Sequence, residues 1–325
     1  MFRTPFRRLL LSAAVVTAAI TAGGVHAEGK SLKVTAIVEH PALDAVRKGA
    51  QDELADQGYT VGDNLEWEFQ SAQGDVGIAG QIARKFVGDS PDAILAIATP
   101  SAQAAVSAAR GTIPVIFSAV TDPVDAKLVD SLDKPGGNVT GVSDMTPLAK
   151  HLDMIQEVVP DLKRLGVPYN PGEPNAAVLV EMLKKIAPKR GIEVVTASAP
   201  SSADVLSATR SLVGKVDAIY VTTDNTLMSA FESVAKVGMD ADIPVFGGDT
   251  SVVERGAVAA AGFNYYDIGR QTGKIIARVF EGEDAGSIPV QFVDKTLLHV
   301  NLKAAKEMGV TLPESFVDKA EKVIR

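Results

Sequence analysis

Cysteine is absent from the 325-residue chain, which excludes disulfides, thiolate chemistry, paired-Cys metal ligands and a lipid-modified N-terminal cysteine. Histidine is nearly absent: His26, His40, His151 and His299 each stand alone in their segment, so no His-cluster metal site is expected. There is no G-x-S-x-G elbow, no H-E-x-x-H and no phosphate-cradling P-loop, and nothing implies a cofactor or an enzyme. Positive charge is in deficit, 32 Lys and Arg against 40 Asp and Glu. That balance argues against nucleic acid or an anionic membrane as partner.

Long apolar runs are missing too, apart from one. Arg3, Arg7 and Arg8 precede Leu9 to Ile20, and Val25-His26-Ala27 offers a small-x-small cleavage site. Residues 1–27 therefore read as a secretory signal peptide cleaved after Ala27, and Arg7-Arg8 is compatible with ordinary secretion. Without the leader the chain has 29 basic and 40 acidic residues, a formal charge of −11. No later stretch approaches the roughly 20 apolar residues of a membrane span. The expectation is a protein of an exported compartment, most simply a bacterial periplasm, with no direct membrane insertion.

What is present is an alternation of short apolar strands and amphipathic helices. Asp92 to Ala105 is an apolar run that stops at Thr99-Pro100-Ser101 and resumes as an alanine-rich segment, a buried strand feeding a helix with Ser101 as the expected N-cap. The stretch recurs without gaps at Asp217 to Ala230, where Asp224-Asn225-Thr226 replaces Thr-Pro-Ser. Ile113-Pro114-Val115 is matched by Ile243-Pro244-Val245, and Gln57-Gly58 by Arg190-Gly191. Two similar α/β halves follow, each large enough to bury its own core. Helices are expected at 42–57, 78–87, around 124–131, and at 147–158, 176–190, 202–212, 227–237, 268–281 and 303–308. Tyr265-Tyr266-Asp267 is expected to cap the helix that starts at Ile268, and Pro168 near a strand end removes a ladder donor. The predicted fold is α/β, two doubly wound parallel-sheet lobes joined by a three-crossover hinge. The lobes are expected at 32–143 plus 265–288 and at 144–264 plus 289–325. Ligands of such sheets bind at the carboxyl ends of the strands.

Glu39-His40-Pro41-Ala42-Leu43-Asp44, Ala98-Thr99-Pro100-Ser101-Ala102-Gln103, Val120-Thr121-Asp122-Pro123, Tyr169-Asn170-Pro171-Gly172-Glu173, Thr223-Asp224-Asn225-Thr226 and Tyr265 to Gly273 resemble one family in order. It is the periplasmic substrate-binding proteins of ABC importers, in the subfamily that includes tryptophan-type binding proteins. The resemblance covers nearly the whole chain after the leader, and Pro168 departs from the aliphatic residue usual before Tyr-Asn-Pro-Gly-Glu. It implies the type I periplasmic-binding fold, closing as a monomer on a small ligand and delivering it to a permease in the inner membrane. A sensor presenting its closed form to a membrane receptor would use the same closure. A repressor-type regulator shares the fold, but no DNA-binding head is present.

The implied site lies between the lobes. Thr99 and Ser101 are expected to hold a ligand carboxylate, and Asp224 to face an α-ammonium or else to cap its helix; Thr223 and Asn225 flank it. Asp249 is the second candidate acid, whereas Asp122 reads as a turn residue before Pro123. Tyr169, with Asn170 and Glu173, borders a ligand side chain or packs between lobes. Glu39, His40, Ala119 and Thr121 stand at strand ends that face the cleft. His40 is either structural or a ligand contact, and Tyr265 and Tyr266 read as hinge packing with one ring reaching the cleft. The expected ligand is an amino acid with an aromatic or large apolar side chain, a sugar or nucleoside being the alternative.

Overall fold

A computed structural model describes residues 1–2, 29–293 and 295–325. The expected leader falls outside the described residues, apart from its first two. In chain order the first half contains β1 (Lys30–Ala36), α1 (Pro41–Asp56), β2 (Leu65–Ser71), α2 (Val76–Gly88), β3 (Ala93–Ile97), α3 (Thr99–Ala109), β4 (Val115–Val120) and β5 (Val139–Ser143). The second half contains α4 (Leu148–Val158), β6 (Arg164–Tyr169), α5 (Pro174–Ile186), β7 (Glu193–Ser198), α6 (Val205–Arg210), β8 (Ala218–Val221), α7 (Asn225–Ser229), α8 (Phe231–Asp240), β9 (Val245–Gly247) and β10 (Ala259–Gly262). The chain ends with α9 (Tyr265–Phe280), β11 (Gln291–Phe292), β12 (Leu297–Asn301), α10 (Leu302–Glu307), α11 (Glu314–Val317) and β13 (Lys322–Ile324).

Strands of continuous apolar residues have no wet face, so each sheet is covered by helices on both sides. The first sheet runs β11-β5-β4-β3-β1-β2 and the second β13-β12-β10-β9-β8-β6-β7. The five-strand order of each half is the same, with β3 and β8 at its centre, which is what the repeated Asp-Ala-Ile stretch encodes. Its aspartates do the same work in both halves: Asp92 accepts from Ser31 N–H at 2.8 Å, and Asp217 from Arg164 N–H at 2.7 Å. Each pins the start of the neighbouring strand. Pro168 is tolerated because β8 pairs with β6 only at Leu165 and Gly166, ahead of it.

The chain passes between the sheets three times, after β5, after β10 and after β11. Gln291–Phe292, expected with the second lobe, instead pairs with β5 in the first sheet, so the last crossing comes later in the chain than the sequence suggests. Other expectations are corrected at helix ends. Residues 124–131 form turns, because Asp122 Oδ1 takes the N–H groups of Val124 and Asp125, and Lys127 adopts a left-handed φ of 59°. The helix expected at 227–237 is divided at Ala230 into α7 and α8. Residues 202–212 split into a 3₁₀ turn at Ser202–Asp204 and the short α6. The helix α9 begins at Tyr265, capped by Asn264, whose side chain accepts from Tyr266 N–H. Ser101 is not a cap either: α3 starts two residues earlier, after Ala98 at φ 72°.

Candidate functional site

The strand ends of both lobes meet around a small cavity of about 10 Å³. The first lobe supplies His40, at the turn from β1 into α1, then Leu43 in the first turn of α1, and Ala119 and Thr121 where β4 ends. Ala119 reaches in because β4 is bulged between Ser118 and Val120, with Ala119 at φ 54°. Bulges and strained backbone of this kind concentrate at functional sites. The second lobe supplies Asn175, Thr223, Asn225, Met228 and Asp249, and the crossings supply Asp144 and Tyr265.

Asp144 is the centre of this arrangement. Its Oδ1 accepts from Thr121 Oγ1 at 3.2 Å and its Oδ2 from the Tyr265 hydroxyl at 2.8 Å. Thr121 in turn lies 3.5 Å from Thr223 Oγ1, a contact between the lobes. Asp249 accepts from Ser251 N–H at 2.7 Å and Ser251 Oγ at 3.0 Å. Both carboxyls are almost fully buried, and no Lys or Arg lines the cavity among the described residues. Burial raises the pKa of Asp144 against the opposing bonds from Tyr265 and Thr121. Burial, helped by the nearby Asp144 charge, raises that of Asp249 to about 6 against its bonds from Ser251 and the Arg255 charge. The Tyr265 phenol is pushed well up by burial and by the same two carboxylates. Two desolvated acids in a cavity that no Lys or Arg lines form a site with a demand for positive charge, which Arg255, paired with Glu232, offsets only in part.

His40 is 8% exposed, and the Asn225 side chain is its one hydrogen-bonding neighbour. Burial, helped by the Arg255 charge, lowers its pKa to about 4 against the hydrogen bond with the Asn225 side chain, so the ring is neutral at physiological pH. Asn175 Oδ1 is without a partner.

Of the residues expected from sequence, His40, Ala119, Thr121, Thr223, Asn225 and Asp249 line this cavity. Asp224 does not. Its Oδ1 accepts from Leu227 N–H at 3.0 Å, capping α7, and its Oδ2 from Asn170 N–H at 2.6 Å. Burial and the nearby Glu173 charge push its pKa well up. Glu173 accepts from Asn225 N–H at 3.1 Å, Asn225 Nδ2 at 2.6 Å, Thr226 N–H at 2.9 Å and Thr226 Oγ1 at 2.7 Å. It holds the loop that carries Thr223 and Asn225, and it borders the open cleft outside the cavity together with Asn225. Asn170 braces the same loop through Thr226 Oγ1 at 2.9 Å. Thr99 and Ser101 are buried with unpartnered hydroxyls, away from the cavity wall; Glu39 is exposed, and Tyr169 packs at the edge of the second core. Sequence reasoning missed Leu43, Asp144, Asn175 and Met228. For Asp144 the available signal was an acid directly after a buried strand at a crossing.

Among the described residues no group of three or more His, Asp or Glu is placed to hold a metal ion, and no helix is long and apolar enough to cross a membrane. A polar cavity between two parallel-sheet lobes with three crossings is the arrangement of a two-lobed solute-binding protein. The chain belongs to the ABC transporter substrate-binding protein family, whose sequence model it matches over residues 31–324. It is 42% identical over 281 residues to a tyrosine-binding protein of Clostridioides difficile (strain R20291), covering 86% of this chain and 81% of that one. A structure from Streptococcus pneumonia in complex with L-Trp is 37% identical and superposes with a TM-score of 0.88, covering 91% of this chain and all of that one (100%). A ligand-free, open substrate-binding protein with adhesive properties from Clostridium difficile is 40% identical, yet its TM-score is 0.68 over 91% of this chain and 99% of that one. At similar identity, the lower score marks a different lobe arrangement. The cavity described above belongs to closed lobes.

Proposed function

We propose that this protein captures an α-amino acid with an aromatic or large apolar side chain outside the cytoplasmic membrane and delivers it to an ABC permease. The observation that carries the reading is the buried Asp144–Asp249 pair in a cavity that no Lys or Arg lines, the nearby Arg255 being paired with Glu232. An α-ammonium supplies the missing charge, bonding to the free lone pairs of both carboxylates. Thr223 Oγ1 and the second amide hydrogen of Asn225, whose first bonds Glu173, are neutral donors for the ligand carboxylate. Leu43, Met228 and Ala119 supply apolar wall for the side chain. The relatives that bind tyrosine or contain L-Trp support this assignment. The Arg-flanked apolar stretch at residues 1–27 supports export as a cleaved precursor to the periplasm, where the ligand-loaded monomer would meet its permease.

Isothermal titration of the purified protein, dialysed free of carried-over ligand, tests it. L-tyrosine, L-tryptophan or L-phenylalanine binds at micromolar or better affinity, and hexoses and nucleosides give no heat. Saturable binding of a sugar without any amino acid would overturn the assignment.

A further inference from the structure

Met228 and Asp249 line the cavity from two different turns of the second lobe, and one side chain outside the cavity joins those turns. Arg255 follows the 3₁₀ turn Thr250–Val253 that Asp249 caps, and its backbone N–H donates to Val252 O at 3.0 Å. Its guanidinium spans the break between α7 and α8. Nη1 donates to the Met228 carbonyl at 2.6 Å, while Nε and Nη2 fork onto the Glu232 carboxylate, each at 2.6 Å. The guanidinium carbon lies 5.7 Å from the centre of the buried Phe231 ring. A planar fork can hold a carboxylate and a carbonyl in fixed directions at once, which an ammonium cannot. The Arg255 side chain is 15% exposed and that of Glu232 66%, so water screens the carboxylate more than it screens the arginine. The residual positive field reaches Asp249 and His40.

Resting on the amino-acid reading above, we propose that Arg255 is a positioning residue for the binding site, tying the Met228 wall to the Asp249 turn and setting a weakened positive charge behind the Asp249 carboxylate, which keeps that carboxylate ionised for the ligand's ammonium. The placement is graded. A cation lining the cavity would compete with the ammonium for Asp249, and no cation at all would leave two buried acids that relieve their repulsion by taking up a proton. Arg255, behind the turn and paired with Glu232, avoids both. Around Asp249 stand Asp144, Tyr265 and His40 in the cavity, and Glu254, His299 and Lys322 in the adjoining groove, where Lys322 pairs with Glu254. These groups are common to every variant below, and His40, the one that also feels Arg255, titrates at about 4, beneath the range tested. Differences between pH profiles therefore report the Arg255 charge on Asp249.

The test is a titration of L-tyrosine from pH 5 to 8 into the wild-type protein, Arg255→Gln, Arg255→Lys and Glu232→Gln, all as the full exported chain, with thermal unfolding of each. Wild-type affinity is full above about 6 and falls below it. Arg255→Gln moves that fall up by about half a pH unit or more, and the lost clamp weakens binding at pH 7.5 about 3- to 30-fold. Arg255→Lys keeps the charge without the fork, so affinity drops while the fall stays at the wild-type pH. Glu232→Gln, at an exposed position, leaves the Arg255 charge uncompensated and moves the fall to lower pH. Where Arg255→Gln does not fold, Glu232→Gln decides alone. A wild-type pH profile in both, whatever their loss of affinity or stability, would overturn the inference while leaving the amino-acid reading intact. Binding of no amino acid by the wild type would overturn both.

Discussion

At the scale of single residues, the buried carboxyls around the cleft, Asp144, Glu173, Asp224 and Asp249, divide into two roles that composition does not distinguish. Asp224 and Glu173 have oxygens occupied by backbone and side-chain donors of their own lobe, while Asp144 and Asp249 face the cavity. Asp144→Asn keeps the shape and removes the charge. It should weaken amino-acid binding about 10- to 100-fold, the loss of a charge-assisted bond, with little change in melting temperature. Asp224→Ala should do the reverse at first order, costing about 1–3 kcal/mol of stability by orphaning two N–H groups, as read by denaturant unfolding. Acidification tests the cavity pair together. The folded pKa of Asp249, about 6, lies above its ordinary 3.8, so between those values the closed free protein carries a proton that an ammonium ligand must displace. Affinity measured by titration across pH 5 to 8 is therefore full above about 6 and falls as pH drops through it. The roles were partly hidden in the sequence because an Asp at a helix start is equally a cap and a ligand group. Asp144 was hidden because its partners Thr121 and Tyr265 lie 23 and 121 residues away.

At the scale of elements, the alternation of buried strands and helices was legible because it is a local pattern, and the repeated stretch marked the two central strands. Helix starts were less legible. Ser101 has the right chemistry for a cap, but a left-handed Ala98 lets α3 begin before it, a backbone choice no propensity favours. The pairing of α1 with α9 was not legible at all. A Cβ on Gly49 would stand 2.1 Å from the Tyr266 carbonyl, and one on Gly269 2.1 Å from the Val46 carbonyl, so the two helices touch backbone to backbone. Arg270 reinforces the seam through Glu53 at 2.8 Å and Asp56 at 2.7 Å. Since α9 starts at Tyr265, this seam fixes where the phenol meets Asp144. Gly269→Ala should cost about 1–3 kcal/mol from overpacking, seen as a lowered thermal midpoint, and should weaken ligand binding with it.

For the whole molecule, closure and charge are coupled. Bringing the lobes together removes Asp144 and Asp249 from water, and without a cation that burial opposes closing. A ligand shifts the open and closed populations only by binding them differently, and on the amino-acid reading proposed above its ammonium is the group that does so. The two-lobed plan and three crossings followed from the order of elements, but the side chains that face one another across the cleft did not, because that depends on how two cores dock. The most direct test is small-angle scattering of the ligand-free protein, alone and with saturating L-tyrosine or N-acetyl-L-tyrosine, which differ in the charged ammonium and the small acetyl cap that replaces it. The account predicts a smaller radius of gyration with L-tyrosine and no change with the acetylated compound. Equal compaction by both would contradict it.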